Sequence, residues 1–172
     1  MTSRWWFYPA LGLLLLPLIP VLLLLVAAIL SYPSLPSLEA LTNYHPKMPL
    51  RIYSAENILI GEFGEERREL VSIDEVPRLM KLAILAAEDD RFYEHGGVDY
   101  IGVVRAAYSN FASGGVKQGA STITMQVARN FFLSREKTFS RKLNEMLLSF
   151  KIENNLSKDQ ILELYINHIY LG

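Results

Sequence analysis

Cysteine is absent from this sequence of 172 residues, which excludes disulfide bonds, cysteine-ligated zinc and thiol catalysis. An excess of charge of either sign is also lacking. The formal net charge is −1, so the basic field typical of nucleic-acid-binding proteins is missing and no nucleic-acid partner is expected. The length allows one domain of ordinary size with an appendage.

Charged side chains are missing from residues 5–37, and residues 11–30 are almost wholly Leu, Ile, Val, Ala and Pro. At about 1.5 Å per residue, a helix over residues 5–30 is longer than the roughly 30 Å hydrocarbon core of a bilayer. The sequence therefore predicts a cytoplasmic tail over residues 1–4 and a single transmembrane helix over 5–30. A cleaved signal peptide is the alternative, but its apolar core is usually only about 7–15 residues long.

Proline and serine are frequent over residues 31–49, which predicts an extended linker. Two short apolar runs on either side of a turn then predict a β-hairpin within residues 50–70. Over residues 71–172 the apolar spacing is helical, and five helices are predicted. Their expected starting residues are Asp74 or Glu75, Asp99, Ser121, Thr138 or Ser140, and Ser157.

An acidic segment ends the first of these helices, with the sequence Glu88-Asp89-Asp90-Arg91-Phe92-Tyr93-Glu94-His95-Gly96-Gly97. A carboxyl group buried beside an apolar run such as residues 82–87 has a raised pKa and can act as a general base near neutral pH. On these residues alone a solvated acidic helix cap is the alternative, because structural carboxylates are perturbed as well.

Two cations and a carboxylate share one face of a later predicted helix, where Arg141, Lys142 and Glu145 occupy positions i, i+1 and i+4. Such a cluster can hold a phosphate, with the carboxylate orienting the cations or holding a divalent metal. An ordinary salt-bridged surface is the alternative, because i,i+4 pairs are common and weak. The core face of this helix is predicted to be Phe139, Leu143, Leu147 and Phe150.

The helix predicted over residues 122–132 begins within Gly119-Ala120-Ser121-Thr122-Ile123-Thr124-Met125-Gln126. A glycine-led start with two threonines and a glutamine offers amides and hydroxyls to an anion or a sugar. Arg129 and Asn130 extend this polar side. A capped helix that uses small residues for packing is the alternative.

These segments resemble the peptidoglycan glycosyltransferase domain of class A penicillin-binding proteins. Four family motifs occur in order: E-D-x-x-F-x-x-H-x-G at 88–97, G-x-S-T-x-T-Q-Q at 119–126, R-K-x-x-E at 141–145 and I-L-E-x-Y-L-N at 161–167. Met125 replaces one Gln of the second motif, and Ile166 replaces a Leu of the fourth. The family domain continues past the fourth motif, so residues 71–172 are expected to be a C-terminally incomplete domain without a transpeptidase.

The resemblance implies a mainly α, lysozyme-like glycosyltransferase fold, truncated here and preceded by the transmembrane helix and the β-hairpin. It implies polymerisation of lipid II into β-1,4 glycan strands, with inversion and release of polyprenyl pyrophosphate, at the outer face of a bacterial inner membrane. The implied partners are lipid II, the growing lipid-linked strand, the membrane and other cell-wall synthesis proteins. A divalent cation, Mg²⁺ or Mn²⁺, is implied, but no organic cofactor.

The resemblance also implies roles for individual residues. Glu88 is the general base, and Asp89 supports it. Glu145 is the second catalytic residue, positioning the two cations on pyrophosphate or holding the metal. The substrate-binding set is Asp89, Thr122, Gln126, Arg129, Asn130, Arg141 and Lys142.

Two other functions stay open for a chain of this kind. One is a non-catalytic membrane module that binds lipid II or a protein partner. The other is a lysozyme-like hydrolase that cleaves glycan. The pair Arg141-Lys142 argues for a pyrophosphate substrate over that of a hydrolase.

Overall fold

The computed structural model of the chain describes residues 18–42, 50–64, 70–115, 119–133 and 138–168. The helices are α1 (Leu18–Ser31), α2 (Glu39–Thr42), α3 (Arg78–Glu88), α4 (Tyr100–Ser113), α5 (Ile123–Phe132), α6 (Phe139–Glu153) and α7 (Lys158–His168). The strands are β1 (Leu50–Tyr53) and β2 (Leu59–Phe63), and 3₁₀ turns lie at Tyr32–Ser34 and Phe92–Glu94. The prediction of a mainly helical chain with a small hairpin is confirmed.

Helix α1 is a 14-residue apolar helix within the predicted span at 5–30, of which residues 5–17 lie outside the described residues. Among the helices that the structure describes, none is both long enough and apolar enough to cross a membrane. The chain divides into two compact units, residues 1–36 and 37–172.

The predicted linker contains two short helical segments where the structure describes it. Residues 32–34 form a 3₁₀ turn with proline in its first positions, and residues 39–42 form α2. Proline favours this outcome because its fixed φ suits the first turn of a helix. Residues 43–49 lie outside the described residues.

The hairpin prediction is confirmed. Strands β1 and β2 pair antiparallel, with Leu50 opposite Phe63 and Arg51 opposite Glu62. Arg51 Nε donates to Glu62 Oε1 across the strands at 2.9 Å. The turn contains Asn57 in the left-handed region, with a φ of 62°, a conformation that asparagine tolerates better than most residues.

The core of the second unit is built around α5, which packs against both α6 and α7. Fully buried apolar side chains from these three helices meet there, and removing them from water is the main favourable term in folding. They include Ile123, Val127, Leu148, Ile152, Ile161 and Leu162.

Helix α6 buries a different face from the one predicted. Phe139 is 97% exposed, and the other three predicted core residues, Leu143, Leu147 and Phe150, are only partly buried. The buried residues are Glu145, Leu148, Ser149 and Ile152. Two of these four residues are polar and have hydrogen-bond partners inside the protein. The spacing of apolar residues alone therefore predicts the neighbouring face of the helix instead.

Two helix starts confirm the local capping signals. Asp99 Oδ1 accepts a hydrogen bond from Ile101 N at 3.1 Å and caps α4. At the start of α7, Ser157 N donates to Gln160 Oε1 at 2.8 Å, and Gln160 N donates to Ser157 Oγ at 3.3 Å. This reciprocal pair is the predicted capping box.

Gly97 is required by both its backbone and its neighbours. Its φ is +95°, and a Cβ atom there would lie 2.9 Å from Ser149 Oγ and 3.0 Å from the Ser149 carbonyl carbon. Gly97→Ala is therefore expected to lower the free energy of unfolding by about 2–4 kcal/mol, measured by urea denaturation. Gly96→Ala is the control, since a Cβ there meets nothing within 4 Å. Equal effects of the two variants would contradict this explanation.

Candidate active site

A cleft of about 500 Å³ lies in the second unit between the end of α3, the first half of α4 and the segment that leads into α5. The polar residues that line the cleft come from segments far apart in sequence, and four of them are acidic. The charged and amide side chains on it are Glu88, Asp89, Asp90, Asp99, Arg105, Gln126 and Arg129.

Glu88 is the last residue of α3, and its exposed side chain borders the cleft. Gln126 Nε2 on α5 donates to Glu88 Oε2 at 2.8 Å, which fixes the orientation of the carboxylate. The carboxyl group is solvated and is not buried beside the apolar run at 82–87. Helix α3 has no fully buried side chain, and Leu79 and Leu82 are 80% and 48% exposed.

Asp89 faces the interior, although it follows directly after Glu88. Asp89 is only 7% exposed. Its carboxylate oxygens lie 3.0 and 3.1 Å from His95 Nε2, and Oδ2 accepts from Ile123 N at 3.1 Å. These contacts join the end of α3 to the start of α5. Asp89 therefore fits the predicted support of Glu88. It is also a cleft residue, and its assignment to substrate binding stays a prediction.

Thr122, and not Ser121, caps α5, since its Oγ1 accepts from Met125 N at 3.2 Å. The same hydroxyl donates to Gly97 O, and Thr124 Oγ1 donates to Glu153 Oε1 at 2.6 Å. Both threonine hydroxyls thus bond inside the protein, and the expectation that Thr122 binds substrate stays a prediction. Thr122 is one of the residues that line the cleft.

Arg141, Lys142 and Glu145 form one cluster, as predicted, but it is not an ordinary surface network. Glu145 is 2% exposed. Arg141 Nη1 donates to Glu145 Oε1, and Lys142 Nζ donates to Glu145 Oε2 at 2.8 Å. Burial of a carboxylate is costly, and the two cations offset that cost through charge-assisted hydrogen bonds.

The cationic cluster is linked to the cleft by a hydrogen bond between Lys142 and Ser121. Lys142 Nζ donates to Ser121 Oγ at 2.7 Å, and Ser121 is one of the cleft residues. The Lys142 side chain remains 42% exposed. The ammonium group is therefore bonded to a residue of the cleft that Glu88 borders, while Arg141, Lys142 and Glu145 are not themselves among the lining residues.

The surroundings of Glu145 do not fit a divalent cation. Each carboxylate oxygen accepts from a cationic side chain, and those charges repel a metal ion at hydrogen-bond distance. Within the described ranges, no group of three or more His, Asp or Glu side chains is arranged to hold a metal. The geometry favours the orienting role of Glu145, and the Mg²⁺ or Mn²⁺ expectation stays a prediction.

The remaining predicted binding residues differ in whether they line the cleft. Arg129 lines the cleft together with Gln126. Asn130 is exposed and lies outside the cleft lining.

Tyr165 on α7, which the site prediction did not include, is 3% exposed. Burial and then the charge of Glu88 raise the pKa of Tyr165 to about 12. Its place in the fourth motif was the signal available in the sequence.

An ion pair at the rim was also missed. Arg105 Nη1 and Nη2 lie 3.3 and 3.2 Å from the two carboxylate oxygens of Asp90. The Arg105 guanidinium lowers the pKa of the Asp90 carboxyl. This pair joins α4 to the segment directly after Glu88. The two residues are fifteen positions apart, and no local pattern in the sequence connects them.

Comparison with known proteins agrees with this geometry. A family model described as Transglycosylase matches residues 56–172. Penicillin-binding protein 1A of Neisseria gonorrhoeae is 60% identical over 134 residues, which are 78% of this chain and 17% of that protein. Penicillin-binding protein 1A of Escherichia coli (strain K12) is 55% identical over 126 residues, 73% of this chain and 15% of that protein.

The chain thus spans between 15% and 17% of the length of these relatives. The matched region contains the cleft, Glu88 and the cationic cluster. The resemblance drawn from the four motifs is confirmed, and the chain belongs to the transglycosylase family.

Proposed function

We propose that this chain is part of a peptidoglycan glycosyltransferase that polymerises lipid II into β-1,4 glycan strands. One observation carries the proposal: Glu88, an exposed and oriented carboxylate, lines the same cleft as Ser121, whose hydroxyl accepts a hydrogen bond from the ammonium of Lys142 in the cationic cluster. Membership of the transglycosylase family supports it.

The carboxylate supplies the base for the transfer. Glu88 accepts the proton of the 4-hydroxyl of the acceptor N-acetylglucosamine as that oxygen attacks the anomeric carbon of the donor N-acetylmuramic acid. The new carbon–oxygen bond forms as the bond to pyrophosphate breaks, and the electron pair leaves with the lipid pyrophosphate. In-line attack inverts the centre from an α-phosphate to a β-1,4 link. Gln126 keeps the carboxylate aimed at the cleft.

The cluster stabilises the leaving group. A pyrophosphate needs neutralisation of charge more than protonation, so one carboxylate and a set of cations suffice, whereas most glycosidases use two carboxylates. Arg141 and Lys142 are assigned to the pyrophosphate, and Glu145 holds both in place. Arg129 and Gln126 line the donor side.

The uncharged segment at 5–37 supports membrane anchoring in this proposal. Both substrates carry polyprenyl tails, and an anchor confines the enzyme and its substrates to one interface, which raises their effective concentration. We assign the cleft to the outer face of a bacterial inner membrane, within a lysozyme-like domain that works with other cell-wall synthesis proteins.

The test uses full-length protein reconstituted in lipid with fluorescent lipid II. Long glycan strands are expected, with one polyprenyl pyrophosphate released for each new glycosidic bond. Binding of lipid II without polymer would instead indicate the non-catalytic module. Release of soluble fragments from purified peptidoglycan would indicate the hydrolase. Either result would contradict the proposed function.

A further inference from the structure

The fourth motif holds the segment that leads into α3. Asn167 on α7 contacts the backbone of Val71 at two points: its Oδ1 accepts from Val71 N at 2.9 Å, and its Nδ2 donates to Val71 O at 2.9 Å. An amide side chain is the group that can satisfy a backbone donor and acceptor together. Nδ2 also donates to Glu163 O at 3.0 Å, which fixes the side chain on its own helix.

A second contact lies one turn earlier on α7. Glu163 Oε2 accepts from Ile73 N at 2.8 Å. The carbonyl oxygen of Ile73 is also bonded, because Lys81 Nζ from α3 donates to it at 3.1 Å. Glu163 and Asn167 are four residues apart and therefore share one face of α7. Together they form a clamp on residues 71–73, and Lys81 links that segment to α3.

This clamp matters because α3 has little else to fix its direction. It has no fully buried side chain, and Leu79 is 80% exposed. The buried anchors are at its two ends: Val76, 6% exposed, comes just before the helix, and Asp89 comes just after it. An 11-residue helix is about 16 Å long, so displacement at its start moves its last residue, Glu88.

We propose that Glu163 and Asn167 are positioning residues that act on Glu88 through α3. The proposal rests on the assignment of Glu88 as the base. The clamp fixes the start of α3, the buried Asp89 fixes its end, and the carboxylate of Glu88 is thereby held beside Gln126. Misplacement of a reacting group by about 1 Å can cost on the order of 100-fold in rate.

Three variants of the full-length protein separate the roles. Asn167→Asp keeps the acceptor for Val71 N but places a carboxylate against Val71 O. Glu163→Ala removes the acceptor for Ile73 N. Glu163→Gln is the conservative control, because its amide oxygen can still accept that hydrogen bond.

The measurements are amide hydrogen exchange and steady-state kinetics with lipid II. Asn167→Asp and Glu163→Ala are expected to speed exchange over residues 71–89 while α5 and α6 keep their protection. Their kcat is expected to fall on the order of 10- to 100-fold, with KM changed less than about threefold. Glu163→Gln should behave as the wild type.

Three results would overturn the proposal. They are equal loosening of all helices, a lower kcat with unchanged exchange over α3, and a higher KM with unchanged kcat. Failure of the wild-type protein to polymerise lipid II would overturn the proposed function. The exchange pattern would then still decide whether the clamp fixes α3.

Discussion

Glu88→Gln is expected to abolish most glycan polymerisation, lowering kcat on the order of 100- to 10,000-fold. The amide has nearly the same shape as the carboxylate, but it cannot accept the proton of the attacking hydroxyl. The residue is exposed and borders the cleft, so the substitution should leave the free energy of unfolding nearly unchanged. The measurement is the initial rate of lipid II consumption by full-length protein, with lipid II binding measured in parallel.

Glu94→Gln is the matched control for this experiment. Glu94 lies in the same acidic segment, is exposed, pairs with Arg91 at 2.9 Å and does not line the cleft. Its rate should stay close to that of the wild type. Polymerisation by Glu88→Gln at a similar rate would remove Glu88 from the role of base, and loss of lipid II binding would point to a role in binding instead.

Glu145→Gln is expected to have the largest effect on stability, because it removes the negative charge between Arg141 and Lys142. Arg141 is 17% exposed and gains little hydration when its partner is neutralised. Loss of one member of a buried ion pair costs about 3–5 kcal/mol. We expect about 3 kcal/mol, since Lys142 is 42% exposed and hydrates partly. Urea denaturation measures the change.

The pair Arg51–Glu62 on the hairpin provides a comparison with a less buried carboxylate, since the Glu62 side chain is 18% exposed and that of Glu145 is 2% exposed. Arg51 Nε lies 2.9 Å from Glu62 Oε1, similar to the Lys142–Glu145 distance. Glu62→Gln should shift the unfolding midpoint far less than Glu145→Gln. Activity should also fall in Glu145→Gln at temperatures where it stays folded, because the two cations lose the group that orients them. Equal loss of stability in both variants would show that burial of Glu145 does not increase the stabilising effect of its ion pairs.

The features that follow from neighbouring residues could be predicted from the sequence. The cap at Asp99, the capping box at Ser157 and the turn around Asn57 all involve residues within a few positions of each other. The hairpin and the five helices described between Arg78 and His168 follow from the same kind of local pattern. Capping was shifted by one residue at α5, where the Ser121 hydroxyl accepts from Lys142 instead.

The features that depend on distant partners could not be predicted. The buried face of α6 includes Glu145 and Ser149, which look like surface residues until their partners are known. The exposure of Glu88 could not be decided from the sequence, because the hydrophobicity of the residues along α3 does not say what covers the helix. The cationic cluster was predicted because its members are three or four residues apart on one helix. The hydrogen bonds from Gln126 to Glu88 and from Asn167 to Val71 cross large sequence separations.

Glu88 and Asp89 are consecutive carboxylates with opposite surroundings, one facing solvent and the other bonded to His95 and Ile123. Mutational tolerance at the two positions should therefore be limited by different properties. A library randomised at Glu88 would contain mostly folded, inactive proteins, whereas a library randomised at Asp89 would lose expression together with activity. Substitutions at Glu88 are thus limited by catalysis, and substitutions at the next residue, Asp89, are limited by folding.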